Sequence, residues 1–284
     1  MKRVLVAGAT GYLGRYVVRE LKRQGFVVRA LARDAAKLDG LTDDIDEIFI
    51  GEVTRPETLE GICDGIDGVI SSVGITRQKD GLTYDDVDYR GNRNLLERAL
   101  EAGVSKFVYV SVINAHKAKE LKVIRAKERF VDELCDSGMN YAVIRPTGFF
   151  SDMMEFLDMA RTGRIHIFGD GRNVMNPIHG ADLAEVCVAA LDGEQPVLNV
   201  GGPDVYSYRD IGEMAFRALD RPPKLSFMPR VLVTISLFLA RTFTSSRTYG
   251  PFEFMATVMT MDNVGDTVGR HHLPDAFEAA ARSA

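Results

Sequence analysis

Gly8, Gly11 and Gly14 stand at the spacing G-x-x-G-x-x-G, directly after the apolar run Arg3-Val4-Leu5-Val6-Ala7. In a turn that holds phosphate each glycine has a separate task. Gly8 lets the chain leave a strand sharply, Gly11 lets an anion approach the backbone where a Cβ would stand, and Gly14 lets the following helix pack closely on the strand. The first-turn N–H groups of that helix then point at phosphate oxygens, which makes Thr10, Tyr12 and Leu13 candidate contacts along with the glycines. A glycine pattern alone is a weak signal, and its position between a strand and a helix is the context that gives it meaning. About twenty residues past the last glycine, such a unit places the side chain that reads the ribose 2′ position. Arg33 stands there, with Arg29 upstream, Asp34 beside it and Lys37 downstream. A guanidinium favours a 2′-phosphate, so the expected cofactor is NADP(H); Asp34 keeps NAD open.

The elements that must position these residues alternate. Strands are predicted over 3–7, 26–32, 45–50, 68–72, 106–110 and 141–144, and helices over 12–24, from Pro56, over 89–102 and over 119–137. This rhythm over about 145 residues predicts an α/β fold with a doubly wound parallel sheet. In such a sheet, ligands meet the loops at the carboxyl ends of the strands. Glu52 and Val53 after the third strand, and Val73 and Gly74 after the fourth, are therefore expected to flank adenine and ribose. Asn92 and Asn94 are read as structural ties between loops. The domain boundaries expected are 1–148 for the dinucleotide-binding part and 149–284 for a mixed segment that completes the sheet and forms a small discontinuous C-terminal substrate part.

Beyond residue 150 the predicted elements are a helix over 153–160, a turn at Gly169-Asp170-Gly171, an extended piece before Pro177, a helix over 180–191, a strand over 197–200, a helix capped by Ser207, and a last helix after Pro274. Val231 to Ala240 is apolar between two arginines. It is too short to span a bilayer, which takes about twenty residues, and the reading preferred is a buried helix or substrate lid over a helix on a membrane surface. Phe252, Phe254, Met255, Met259 and Met261 extend this apolar wall. The region 225–261 is thus either packed around an apolar small molecule or open to a protein partner.

With 46% hydrophobic and 26% charged residues the composition is that of a globular chain, and a net charge of −5 gives no case for nucleic-acid binding. Cys63, Cys135 and Cys187 fit no zinc or redox spacing and are expected to be buried free thiols; no metal site is read. The chain opens on a core strand, so no secretory signal is expected and the compartment expected is cytoplasmic.

Val108-Tyr109-Val110-Ser111, Arg125-Ala126-Lys127-x-x-Phe130, Arg145-Pro146-Thr147-x-Phe149-Phe150, Gly169-Asp170-Gly171 and Gly201-Gly202-Pro203, together with the glycine turn and Gly51-Glu52-Val53, resemble the extended and atypical short-chain dehydrogenase/reductases. Within that superfamily the look is of divinyl chlorophyllide 8-vinyl reductases, and more loosely of NmrA-like NADPH-binding proteins, including assembly proteins of photosystem II and an accessory subunit of respiratory complex I. The resemblance implies a Rossmann fold. It also implies NADP(H) held by Gly8, Thr10, Gly11, Tyr12, Leu13, Gly14, Arg33, Glu52, Val53, Val73, Gly74, Ser111, Lys127 and Pro146, with Phe149, Phe150 and Met153 on the substrate side. Most of the superfamily reduces a carbonyl with a Tyr-x-x-x-Lys pair and a serine or threonine; the tyrosine gives the proton and the lysine lowers its pKa and holds ribose. Here Lys127 is retained, the tyrosine position is Val123, and the serine position, two past Ser111, is Ile113. Neither replacement can donate a proton. The expectation is a reductase of an apolar molecule at a conjugated C=C bond, with Lys127 as ribose ligand and catalytic support and Tyr84 and Asn114 as candidate donors. The alternative is an NADPH-binding assembly or regulatory protein without chemistry.

Overall fold

The computed structural model describes residues 1–76, 78 and 81–282. In chain order the elements are β1 (Arg3–Ala7), α1 (Tyr12–Arg23), β2 (Val27–Ala32), β3 (Glu47–Ile50), β4 (Gly68–Ser71), α2 (Asn92–Glu101), β5 (Lys106–Val110), α3 (Lys122–Asp136) and β6 (Tyr141–Pro146). There follow α4 (Phe150–Arg161), β7 (Ile165–Phe168), β8 (Val174–Met175), α5 (Gly180–Ala189), β9 (Val197–Gly201), β10 (Tyr206–Ser207), α6 (Tyr208–Ala218), β11 (Leu225–Met228), α7 (Arg230–Phe243), α8 (Ser246–Met259), β12 (Asp266–Thr267) and α9 (Leu273–Arg282). Among the described residues eight strands form one sheet in the order β12-β9-β6-β5-β4-β1-β2-β3. The β3-β2-β1-β4-β5-β6 portion is parallel throughout and reverses direction of growth at β1. This is the doubly wound Rossmann arrangement that the strand–helix alternation predicts.

The chain divides into two compact units, Met1–Arg145 with Leu183–Leu198, and Pro146–Asp182 with Asn199–Ala284. A boundary drawn near 148 does not anticipate that 183–198 belongs with the first unit. In that unit β1 is apolar on both faces because helices cover the sheet on both sides, and Val4, Leu5, Val6 and Ala7 are all buried. α1 stops where Gly25 takes φ +82°, a conformation that costs glycine nothing. Phe130 on α3 packs edge-on against Tyr109 of β5, ring centroids 4.6 Å apart. The second unit builds its own core: Phe156 of α4 stacks on Tyr208 of α6, Phe277 of α9 is fully buried, and β7 pairs in parallel with β11. Ser207 caps α6 as its position predicts, exchanging hydrogen bonds with Asp210.

Several local expectations are corrected. The helix from Pro56 is a single turn, Pro56–Leu59. The helix expected from Tyr89 begins earlier, with a wide π-helical turn over Asp85–Gly91 that runs into α2. β7 and β11 are not predicted: β3 and β4 are equally short, but they stand in the regular strand–helix alternation, whereas β7 and β11 lie beyond it. Pro274 lies in the first turn of α9, where its missing N–H has no intrahelical partner to lose. Cys63 and Cys187 are buried, and burial pushes both thiols up to about 12, whereas Cys135 is exposed. The largest correction concerns 231–240. The helix forms, but only Val233 is buried, and Val231, Leu232, Ile235, Phe238, Leu239 and Phe243 are exposed.

Candidate functional site

β1 ends at Ala7 and Gly8 turns the chain at φ +90°. A Cβ there would also sit 2.6 Å from the Ser72 hydroxyl, so both conformation and space call for glycine. Gly11 donates its N–H to the Gly8 carbonyl at 2.9 Å and takes the N-cap position of α1, with no side chain capping the helix. A Cβ at Gly11 would meet only the Gly8 carbonyl oxygen, at 3.3 Å, so the space beyond it is open. A Cβ at Gly14 would lie 2.0 Å from that same oxygen, which is why the helix can approach the turn so closely. The three glycines thus divide into a turn, an open approach and a close packing contact, and the open approach sits at an uncapped helix N-terminus suited to phosphate.

A cavity of about 300 Å³ opens over this turn. Gly8, Thr10, Gly11, Arg33, Glu52, Val53, Val73 and Gly74 line it, so eight residues named from sequence meet at one place. Tyr12 lies in the first turn of α1 edge-on to Tyr16, and Leu13 is buried. Arg33 is half exposed and 3.6 Å from Glu52. Arg29 belongs elsewhere: it binds Glu47 and the Ile62 carbonyl at 2.7 Å. Asn94 holds the loop after β3 by donating to the Val53 carbonyl at 2.8 Å. A second cleft, about 780 Å³, shares Glu52, Thr54 and Leu82 with the first. Its arginines are largely compensated: Arg90 pairs with Asp85 at 3.0 Å, and Arg93 lies 3.1 Å from Glu97 and 3.0 Å from Glu133.

Lys127 is deep in α3, and its ammonium is 2.9 Å from the carboxylate of Asp88, which is fully buried. Burial pushes this lysine down, but the Asp88 charge and the neighbouring Tyr109 together hold it above the ordinary lysine value. The Asp88 carboxyl is itself raised by burial against the opposing pull of Lys127. Gly74 makes room for the pair, since a Cβ there would be 2.6 Å from both charged groups. Asp88 also accepts from the Ile75 N–H at 3.2 Å, and Asn92 donates to the Val73 and Asp88 carbonyls at 3.2 and 2.9 Å, so the loop after β4 is tied down from below. Tyr109 is fully buried and its hydroxyl is pushed up to about 12 by that burial. Val123 and Ile113, at the positions of the usual donors, are buried apolar side chains. Ser111 instead donates to Glu128 at 3.1 Å, and Glu128 is held by Arg145 at 2.8 Å.

Sequence reasoning missed Asp88, Glu128 and Gly74's second task. Asp88 is one of three acids in a row of four residues, and nothing local marks it as the buried one. Tyr84, a candidate donor, is buried and gives its hydroxyl proton to the Thr76 carbonyl at 3.0 Å. Asn114 takes the left-handed conformation at φ +55° in a turn. In the second unit Pro146 is buried at the end of β6, Phe150 and Met153 are packed in the core, and half-buried Phe149 is the N-cap residue of α4.

An open parallel sheet carrying a glycine turn, an arginine after β2 and a half-buried lysine paired to a buried aspartate has the features of a nucleotide-cofactor-binding protein. A family model described as NAD(P)H-binding matches residues 8–194. The chain belongs to that family. It is 35% identical over 247 residues to the chloroplastic divinyl chlorophyllide a 8-vinyl-reductase of Zea mays, covering 80% of this chain and 61% of that protein. It therefore spans about three-fifths of the length of the curated relatives of that name. Photosystem II assembly factor Ycf39 of Synechocystis is 26% identical over 245 residues, with 85% of this chain and 75% of that protein covered. Among solved structures, the triphenylmethane reductase of Citrobacter superposes with a TM-score of 0.74 at 16% identity over 99% of this chain and all of that one, which shows the shared fold. Among the described residues no helix is long and apolar enough to cross a membrane.

Proposed function

We propose that this protein is an NADP(H)-dependent reductase acting on a conjugated C=C bond of a sizeable apolar molecule. The observation that carries the reading is the pairing of a retained, charged Lys127 with donor positions filled by buried Val123 and Ile113. A ketone reduction needs a proton delivered to the forming alkoxide, and such a transfer is worth roughly 10²–10⁴-fold; these side chains cannot supply it. NADPH, when bound, supplies a hydride; a conjugated C=C bond can accept it as a carbanion stabilised by conjugation, which then takes its proton from water rather than from a tyrosine. The glycine turn would hold the pyrophosphate, Arg33 the 2′-phosphate, and the Lys127 ammonium, fixed by Asp88, the ribose hydroxyls. The relatives named divinyl chlorophyllide a 8-vinyl-reductase support the same substrate class.

The test follows NADPH consumption over a panel of ketones and conjugated alkenes, divinyl chlorophyllide a included. Turnover is expected on an alkene and not on the ketones. NADPH should bind more tightly than NADH, and Arg33→Ala should erase about tenfold of that preference, the lower end of a charge-assisted contact because Arg33 is half exposed. Ketone reduction that survives Lys127→Ala would contradict the reading. Tight NADPH binding with no turnover across the panel supports a second reading, a binding protein without chemistry. The similarity to Ycf39 and the open apolar side of α7 favour that alternative.

A further inference from the structure

The side of α7 that faces away from the protein is its most apolar side. At 3.6 residues per turn, positions 231, 232, 235, 238, 239 and 243 fall together along one side of the helix. They are Val, Leu, Ile, Phe, Leu and Phe, and all six are exposed, Phe238 by 67% and Phe243 by 79%. With about 200 Å² for each phenylalanine, those two alone present about 300 Å². The four aliphatic neighbours carry the patch beyond the few hundred Å² that a monomer ordinarily leaves open. The inward side is thin by contrast: Val233 is buried, and Leu237 and Ala240 are half-buried.

The charge around this patch is one-sided. From Arg221 to Phe252 the chain carries five basic residues and no acidic one, in a protein whose net charge is −5. Arg221, Lys224, Arg230, Arg241 and Arg247 are all exposed. Arg241 is paired with the buried Glu253. Arg221 and Arg230 donate to neutral oxygens, of Arg161 for the first and of Asn173 and Thr260 for the second, so their charge is left uncancelled by those contacts.

We propose that α7 docks this protein on an anionic lipid bilayer, lying in the interface with its Phe and Leu side chains among the acyl chains. A helix of 14 residues is about 21 Å long, enough to lie along a bilayer surface and too short to cross one. Apolar residues on one side with basic residues flanking them are what an interfacial helix needs: apolar area for insertion and positive charge for anionic headgroups. A second copy of the chain is a poorer match, because one side of a single short helix is small against the ~800 Å² per partner of a stable interface, and the basic flanks would face each other. The docking rests on no assumption about the reaction, and the cofactor site lies in the other unit.

The experiment sediments the full chain with vesicles of phosphatidylcholine alone and of phosphatidylcholine with phosphatidylglycerol in equal parts. Wild type is expected to pellet with the mixed vesicles and to be released by salt. Phe238→Asp with Phe243→Asp should lower that binding by at least about tenfold, and Lys224→Glu with Arg247→Glu should lower it on mixed vesicles. Both variants should keep NADPH affinity and circular dichroism, since every altered side chain is exposed. Wild type left in the supernatant, or an aspartate variant that binds like wild type, overturns the proposal. So does a dimer in free solution that the aspartate variant breaks, which assigns the patch to a second copy.

Discussion

Replacing Lys127 by Met tests the buried pair at the centre of the site. Met keeps the length of the side chain and removes the charge, leaving the Asp88 carboxyl in a place with no access to water. Removing one partner of a buried ion pair costs about 3–5 kcal/mol at neutral pH because the other charge is stranded. The cost has a pH signature. Burial already raises Asp88, and Lys127 is the group that opposes it. In the variant the folded pKa of Asp88 therefore climbs further above its unfolded value near ~4. A carboxyl raised on folding leaves stability intact below the unfolded pKa and loses it as pH rises through the folded pKa. Relative to wild type, Lys127→Met should be nearly as stable in mild acid, below the unfolded carboxylate range at ~pH 4, and should lose stability as pH rises above it. Urea unfolding across that range measures it. Adding Asp88→Asn should restore most of the loss at high pH and flatten the profile, since no charge is then left buried. A deficit below about 1 kcal/mol, or one that does not change with pH, would refute the buried-pair reasoning.

Gly11→Val and Gly14→Val should fail in different ways. The first should fold, judged by circular dichroism, and lose NADPH binding because its side chain enters open space where phosphate would lie; the second should lose stability by several kcal/mol, since a Cβ 2.0 Å from a backbone oxygen cannot be relieved by a side-chain movement. A disulfide thiol reagent at mildly alkaline pH should modify Cys135 alone in the folded protein and all three cysteines after unfolding, because Cys63 and Cys187 are both covered and held as thiols.

The glycine turn and the doubly wound parallel sheet were legible because their determinants are local. An apolar β-branched run, a glycine spacing and an amphipathic helix each fit inside a short window, and a parallel sheet with right-handed crossovers leaves few ways to connect them. Ligand-facing loops follow from that order, which is why Glu52, Val53, Val73 and Gly74 meet over the turn. Asp88 was not legible. Asp85, Asp86 and Asp88 look alike in sequence, and what singles out Asp88 is Lys127, brought to it from a distant helix. α7 was misread for a different reason. Periodicity reports that apolar residues share a side, but it carries no sign for whether that side meets protein or solvent. Charge breaks the tie only when the absence of acids from 221 to 252 is weighed against a net negative chain.

The same distinction bears on Val123 and Ile113. Both are buried, and a valine in α3 or an isoleucine beside β5 is an ordinary core choice that folding accepts. Folding is satisfied by apolar side chains at both positions, and neither side chain can donate a proton. Lys127 is the opposite case, because a lysine is costly to bury and persists here only by means of a second buried charge, Asp88, and a glycine, Gly74, that clears space for both. On the reading proposed above, Lys127 would hold the cofactor, while Val123 and Ile113 leave no proton donor for a carbonyl at the positions where one would stand. That asymmetry is compatible with a hydride acceptor whose carbanion can be protonated from water, and the alkene panel is the discriminating measurement.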